Sequence, residues 1–124
     1  MSTLQTDFVS ISLKNGVLYV RYLVKKIDRK IAMQVVQLRK EFTNNTPYPI
    51  LADARNVVST TRDAREYISS AESIEGVLAG AILTDTSFNA FIANFFVKVT
   101  RPKLPTRVFS REEDALKWLE QYKK

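Results

Sequence analysis

The 124-residue chain contains no cysteine and no histidine. The first absence excludes a disulfide framework and thiol chemistry. The second excludes a Ser-His-Asp triad, an imidazole base and the ordinary zinc sites. Glycine occurs only at Gly16, Gly76 and Gly80, and none of these forms a GxGxxG or P-loop pattern. Long apolar runs are also missing. The longest, Val77 to Leu83, falls far short of the roughly 20 residues of a membrane span. Met1 to Thr6 is polar and uncharged, without the basic and apolar regions of a signal peptide. The expectation is a soluble, cytoplasmic protein with no cofactor and no metal. Catalysis, if any, would rest on Asp, Glu, Lys, Arg, Tyr, Ser or Thr alone.

The composition is that of an ordinary globular chain, 45% apolar and 26% charged. Its length is expected to make one domain, residues 1–124. The net charge of +6 is unevenly placed, because residues 1–62 carry ten Lys/Arg against four Asp/Glu and residues 63–124 carry nine against nine. The excess gathers at Arg21, Lys25, Lys26, Arg29, Lys30, Arg39 and Lys40. Such a patch can meet an acidic protein, anionic lipid or nucleic acid, or simply keep a solvated face soluble.

Local patterns divide the chain into alternating elements. Asn15-Gly16 between two alternating runs predicts a hairpin in which Lys14 faces Val17, followed outward by Leu13/Leu18, Ile11/Val20 and Val9/Tyr22. Lys25-Lys26-Ile27 reads as a short connection, and Asp28 as the cap of a helix running to about Phe42. Its stripe is Ile31, Ala32, Val35, Val36, Leu38 and Phe42, with Arg29, Lys30, Arg39 and Lys40 on other faces. Thr43 to Pro47 favours turns and stops it.

Tyr48 to Ala52 is a short buried strand, and Thr60-Thr-Arg-Asp63 fits a capping box for a helix carrying Ala64, Tyr67, Ile68 and Ala71. Val77 to Thr84 is a central strand covered on both faces, with Gly80 marking close approach of a neighbour. A helix follows from Phe88 to about Val99. Phe91 and Phe96 lie at the rims of its apolar arc, with Phe95 within it. Thr106 to Phe109 is the last strand. Ser110-Arg-Glu-Glu113 is a capping box for a final helix bearing Ala115, Leu116, Leu119 and Tyr122.

The order is therefore ββαβαβαβα, a mixed five-stranded sheet covered by four helices. That order, with Ile50-Leu-Ala-Asp-Ala-Arg-Asn-Val57, AILTD at Ala81 to Asp85 and the ending from Arg107 to Leu119, resembles the STAS domain. More specifically, it resembles the SpoIIAA-like, STAS/SEC14-type small bacterial proteins. The resemblance implies an α/β fold and a regulatory or binding role. The family's switch is an Asp-Ser-Ser/Thr-Gly motif whose hydroxyl is phosphorylated at a helix start. Counted without gaps, it falls on Thr61-Arg62-Asp63-Ala64, where the acceptor hydroxyl and the Gly are replaced.

The candidate contact residues are Asp53, Arg55, Ser59, Thr60, Thr61, Arg62 and Arg65 at the strand exit and the following helix start. They would meet a protein partner, with a second copy of the chain among the alternatives. The competing reading is a lipid or small apolar-ligand binder at a membrane surface, with Phe91, Phe95 and Phe96 as apolar rim and Lys25, Lys26, Arg29 and Lys30 on anionic head groups. Nucleic acid is a weaker expectation, since no recognition motif accompanies the charge. An enzyme built on Asp53 and Asp85 is the weakest.

Overall fold

Asn15 and Gly16 adopt φ of 51° and 78°, the left-handed pair that closes a two-residue hairpin with the twist the strands need. In the computed structural model, which describes residues 3–85 and 104–123, the hairpin joins β2 (Val9–Lys14) to β3 (Val17–Tyr22). Its register is the expected one, from Lys14↔Val17 to Val9↔Tyr22. A further strand, β1 (Thr3–Gln5), pairs antiparallel with β2 through Leu4↔Ile11. The sheet therefore has six strands rather than the expected five. Thr3–Gln5 is too short and too polar to show a strand period, and it is held by an edge that only the folded hairpin offers.

Lys26–Ile27 is not merely a connection. It forms β4, which lies parallel to β6 (Ser59–Thr60) in a separate two-stranded ribbon. Asp28 then caps α1 (Arg29–Thr43), its Oδ1 accepting from the Ile31 N–H at 2.8 Å. The helix ends where Asn44 and Asn45 turn left-handed at φ of 53° and 60°.

From β3 onward the sheet is parallel: β5 (Tyr48–Asp53) pairs with β3 and with β7 (Val77–Leu83), which pairs with β8 (Thr106–Phe109). Pro49, which cannot donate to a ladder, sits where the β5–β7 register shifts. The single helix expected between these strands is two, α2 (Arg62–Ile68) and α3 (Ala71–Ile74). The break lies at Ser69-Ser70. The Ser69 hydroxyl donates back to the Arg65 carbonyl, and the Ser70 hydroxyl donates to the Tyr67 carbonyl while accepting from the Ser73 N–H.

The chain closes with α4 (Glu112–Leu119) and a turn of 3-10 helix, Glu120–Tyr122. The expected Ser110 capping box does not form, because the residue before the helix is Arg111 and it makes no side-chain cap bond. Glu112, Glu113 and Asp114 in the first turn complement the helix dipole instead. The helix expected over Phe88 to Val99, including Phe91, Phe95 and Phe96, lies outside the described residues.

The core divides by sheet face. Ala79, Ala81 and Leu83 of β7, with Val17 and Leu51, pack against Ala115 and Leu119 of α4. On the other face Val9, Ile11, Leu18, Val20 and Ile50 meet Val35 of α1. A third cluster, Ile27, Ala32, Val36, Val57, Ala64 and Tyr67, ties the β4–β6 ribbon to α1 and α2. Among the described residues no helix is long and apolar enough to cross a membrane.

Candidate functional site

The carboxyl ends of parallel strands are where an α/β sheet exposes side chains to a ligand or partner. Here they separate the predicted contact residues into two groups. Asp53, the last residue of β5, shares a sheet face with Leu51 and so points toward the α4 side. Arg55 grips it with two side-chain bonds, Nε to Oδ1 at 3.0 Å and Nη2 to Oδ2 at 2.7 Å, and its own backbone N–H donates to Oδ1 at 3.1 Å. Arg55 Nη2 also lies 3.7 Å from Glu112 of α4. Burial pushes the Asp53 carboxyl up, but the hydrogen bonds and charge of Arg55 outweigh it and hold the group below the ordinary carboxylate range. The bond to Asp53 in turn raises the guanidinium of Arg55. Asp53 is thus an ionised, bidentate-paired carboxylate that staples β5 toward α4. The three bonds from Arg55 take both acceptor sites of Oδ1 and one of Oδ2, which lowers the basicity of the carboxylate. Among the described residues no group of three or more acidic side chains is placed to hold a metal ion.

The second group, Ser59 to Arg65, lies on the α1 side. The Val58 and Ser59 N–H groups both donate to the Lys25 carbonyl, at 2.7 and 3.1 Å, and the Thr61 N–H donates to Ile27 at 3.0 Å. These bonds hold Ser59 and Thr60 in the ribbon, so the chain turns into α2 one residue later than the sequence suggests. Thr61, not Thr60, is the cap. Its Oγ1 accepts from the Ala64 N–H at 3.2 Å and donates to Asp63 Oδ1 at 2.6 Å. That hydroxyl bond leads the forces lowering the Asp63 carboxyl.

Arg65, expected at the surface, is half-buried; its Nη1 donates to the Thr60 carbonyl at 2.8 Å and lies 3.3 Å from the Thr60 hydroxyl. Arg62 projects outward, its side chain 87% exposed and 3.4 Å from Glu66, which is 64% exposed. Exposed pairs of this kind bind weakly. Lys25, Lys26, Arg29 and Lys30 are exposed, and Val58, 53% exposed, donates its N–H to the Lys25 carbonyl. Arg29 also covers the Tyr67 ring, 5.3 Å from its centroid. The Tyr67 hydroxyl donates to Glu72 at 2.5 Å; burial first, and then that bond, push its pKa up to about 12.

Arg39 was expected on a solvated face of α1 but is 8% exposed. The signal was present: Ala32, Val35, Val36 and Arg39 follow the i, i+3, i+4, i+7 rule, and charge alone argued otherwise. Its Nη2 donates to the Glu75 carbonyl at 2.9 Å, while the Glu75 carboxylate pairs with Lys40 at 3.0 Å. Gly80 also departs from expectation. It does not mark a close neighbour, because a Cβ built there meets nothing within 4 Å among the described residues.

This geometry defines a mixed α/β protein of SpoIIAA-like fold. An uncharacterized DUF3478-family protein with that fold, from Shewanella loihica PV-4, superposes with a TM-score of 0.67 at 17% identity, over 90% of this chain and 91% of its own. The chain belongs to the family described as a domain of unknown function, DUF7793, whose model matches residues 11–123. A protein of unknown function from Arthrobacter sp. FB24 aligns at 23% identity over 95% of this chain and 97% of its own, with a TM-score of 0.35. No curated protein matches the sequence.

Proposed function

We propose that this chain is a non-catalytic, STAS-like binding module that engages an acidic surface of a protein partner through the β4–β6 ribbon and the start of α2. One observation carries the reading. The ribbon brings Lys25 and Lys26 beside Ser59, leaves Arg62 almost fully solvated, and holds the exposed Val58 against the Lys25 backbone. An apolar centre with a charged rim is the usual anatomy of a protein interface. The acidic groups nearby are partly engaged already, Asp28 as a helix cap and Asp63 with Thr61. Asp53 and Arg55 hold each other on the opposite sheet face and supply structure rather than contact.

The test is capture of partners from the native host by the wild-type chain and by a Lys26→Glu/Arg62→Glu double variant, with Arg107→Glu on the far edge strand as control. Loss of the same partner in the double variant alone, and weakening with added salt, is the expected result. Equal recovery by all three proteins would remove this surface. Flotation with anionic vesicles separates the membrane reading. If the wild type floats and the double variant does not, the ribbon meets lipid rather than protein.

A further inference from the structure

On the face of the sheet opposite α4, strands β3, β5 and β7, helix α1 and the β4–β6 ribbon border a partly open cavity of about 170 Å³. Its apolar lining includes Val20, Ile50, Ala52 and Ile82 from the sheet and Val35 and Val36 from α1. Gly80 contributes no side chain to fill it. An aliphatic-lined cavity of roughly 150 Å³ stays dry and takes a benzene-sized molecule. Two polar groups set this cavity apart from a packing defect. Thr84, 4% exposed, lines it with a buried hydroxyl that has no hydrogen-bond partner among the described residues. A buried polar atom left unpaired costs about 1–3 kcal/mol, so such atoms are normally satisfied by protein, water or ligand.

Arg39 also lines the cavity, and among the described residues no carboxylate lies within ion-pair distance of it. Its Nη2 donates to a neutral carbonyl, and burial lowers its pKa more than the charge of Glu75, itself paired with Lys40, raises it. A buried cation without a directly paired carboxylate is costly, and an anion hydrogen-bonded to it offsets part of that cost.

We propose that this cavity binds a small monocarboxylic acid with an apolar body of about six or seven carbons, its carboxylate on Arg39 and its body against Ile50, Gly80 and Ile82. Thr84 offers a hydrogen bond to a further polar atom of the ligand. The proposal goes beyond the ribbon surface and does not depend on it, since Lys26 and Arg62 are not among the cavity's lining residues.

The experiment follows methyl resonances of the full chain during titration with sodium hexanoate, sodium benzoate and, as neutral comparator, 1-hexanol. Saturable shifts are expected at Val35, Ile50 and Ile82, with none at Leu119 on the opposite face. Arg39→Lys should weaken hexanoate by about tenfold or more, through loss of the bidentate fork, while changing hexanol less than about twofold. Gly80→Val, which fills the space, should abolish binding of both, with circular dichroism reporting the fold. If that variant unfolds, Gly80→Ala replaces it, and a lowered affinity is expected. The proposal is overturned if lining methyls do not shift, if acid and alcohol bind equally well, or if binding persists unchanged in the filled cavity.

Discussion

Strand β7 shows two different faces to its surroundings. Ala79, Ala81 and Leu83 are fully buried against α4, with Ala115 and Leu119 fitted over them. Gly80, Ile82 and Thr84, alternating with them along the same strand, border a cavity instead. On the closed face β7 presents small and medium apolar side chains, with Trp118 and Tyr122 packed against the same cluster. The open face contains a glycine, a hydroxyl with no partner among the described residues and, across from it, a buried arginine. A strand can therefore be central in a sheet and still serve as a site floor, if one face carries the packing and the other is left unfilled.

The comparison breaks most severely at Leu119. Truncation to Ala leaves a hole in the closed face and should cost about 3 kcal/mol in urea unfolding. A cost under about 1 kcal/mol would mean that this face is as loosely packed as the other.

Asp53→Asn should be the next largest effect, about 1–2 kcal/mol, because it breaks the bidentate pair at the α4 edge and leaves Arg55 without its partner. The sign with pH follows from the lowered pKa of Asp53. Its contribution is present above the ordinary carboxylate value of about 4 and is lost as pH falls through the folded value. The wild type should therefore lose its advantage over Asp53→Asn on acidification, and a gap that stays constant to pH 2 would count against the pairing.

The open face should respond in the opposite direction. Thr84→Val removes the unpartnered hydroxyl at nearly constant shape and is expected to stabilise the free protein by about 1 kcal/mol. A comparable loss instead would show that the hydroxyl is satisfied. Helix capping sharpens the picture at the smallest scale. Thr61→Ala should cost about 1 kcal/mol, whereas Thr60→Ala should cost only a few tenths. Thermal melts of the two variants decide whether α2 begins where the ribbon places it.

The expected alternation of elements holds in the described residues, and the hairpin register holds residue by residue. Both depend on short-range chemistry: Asn-Gly dihedrals, a period of two, and an Asp before an apolar stripe. What the sequence concealed is non-local. Strand β1 exists because the hairpin leaves an edge. The ribbon exists because Lys26–Ile27 and Ser59–Thr60 meet across more than thirty residues, which also moves the cap from Thr60 to Thr61. Asp53 and Arg65 looked like parts of one surface because they are near in sequence, but strand alternation sent them to opposite sides of the sheet.

By itself, then, the sequence determined the mixed α/β class, the hairpin, the long first helix and the absence of thiol and imidazole chemistry. Those follow from local dihedral preferences, from periodicity and from which side chains exist at all. Only the tertiary structure decided that Arg39 is buried with no carboxylate at ion-pair distance among the described residues, that Gly80 borders a cavity, and that Val58 is exposed beside Lys25. Each of these is set by what packs opposite a residue, and the identity of that neighbour is fixed by the meeting of distant segments.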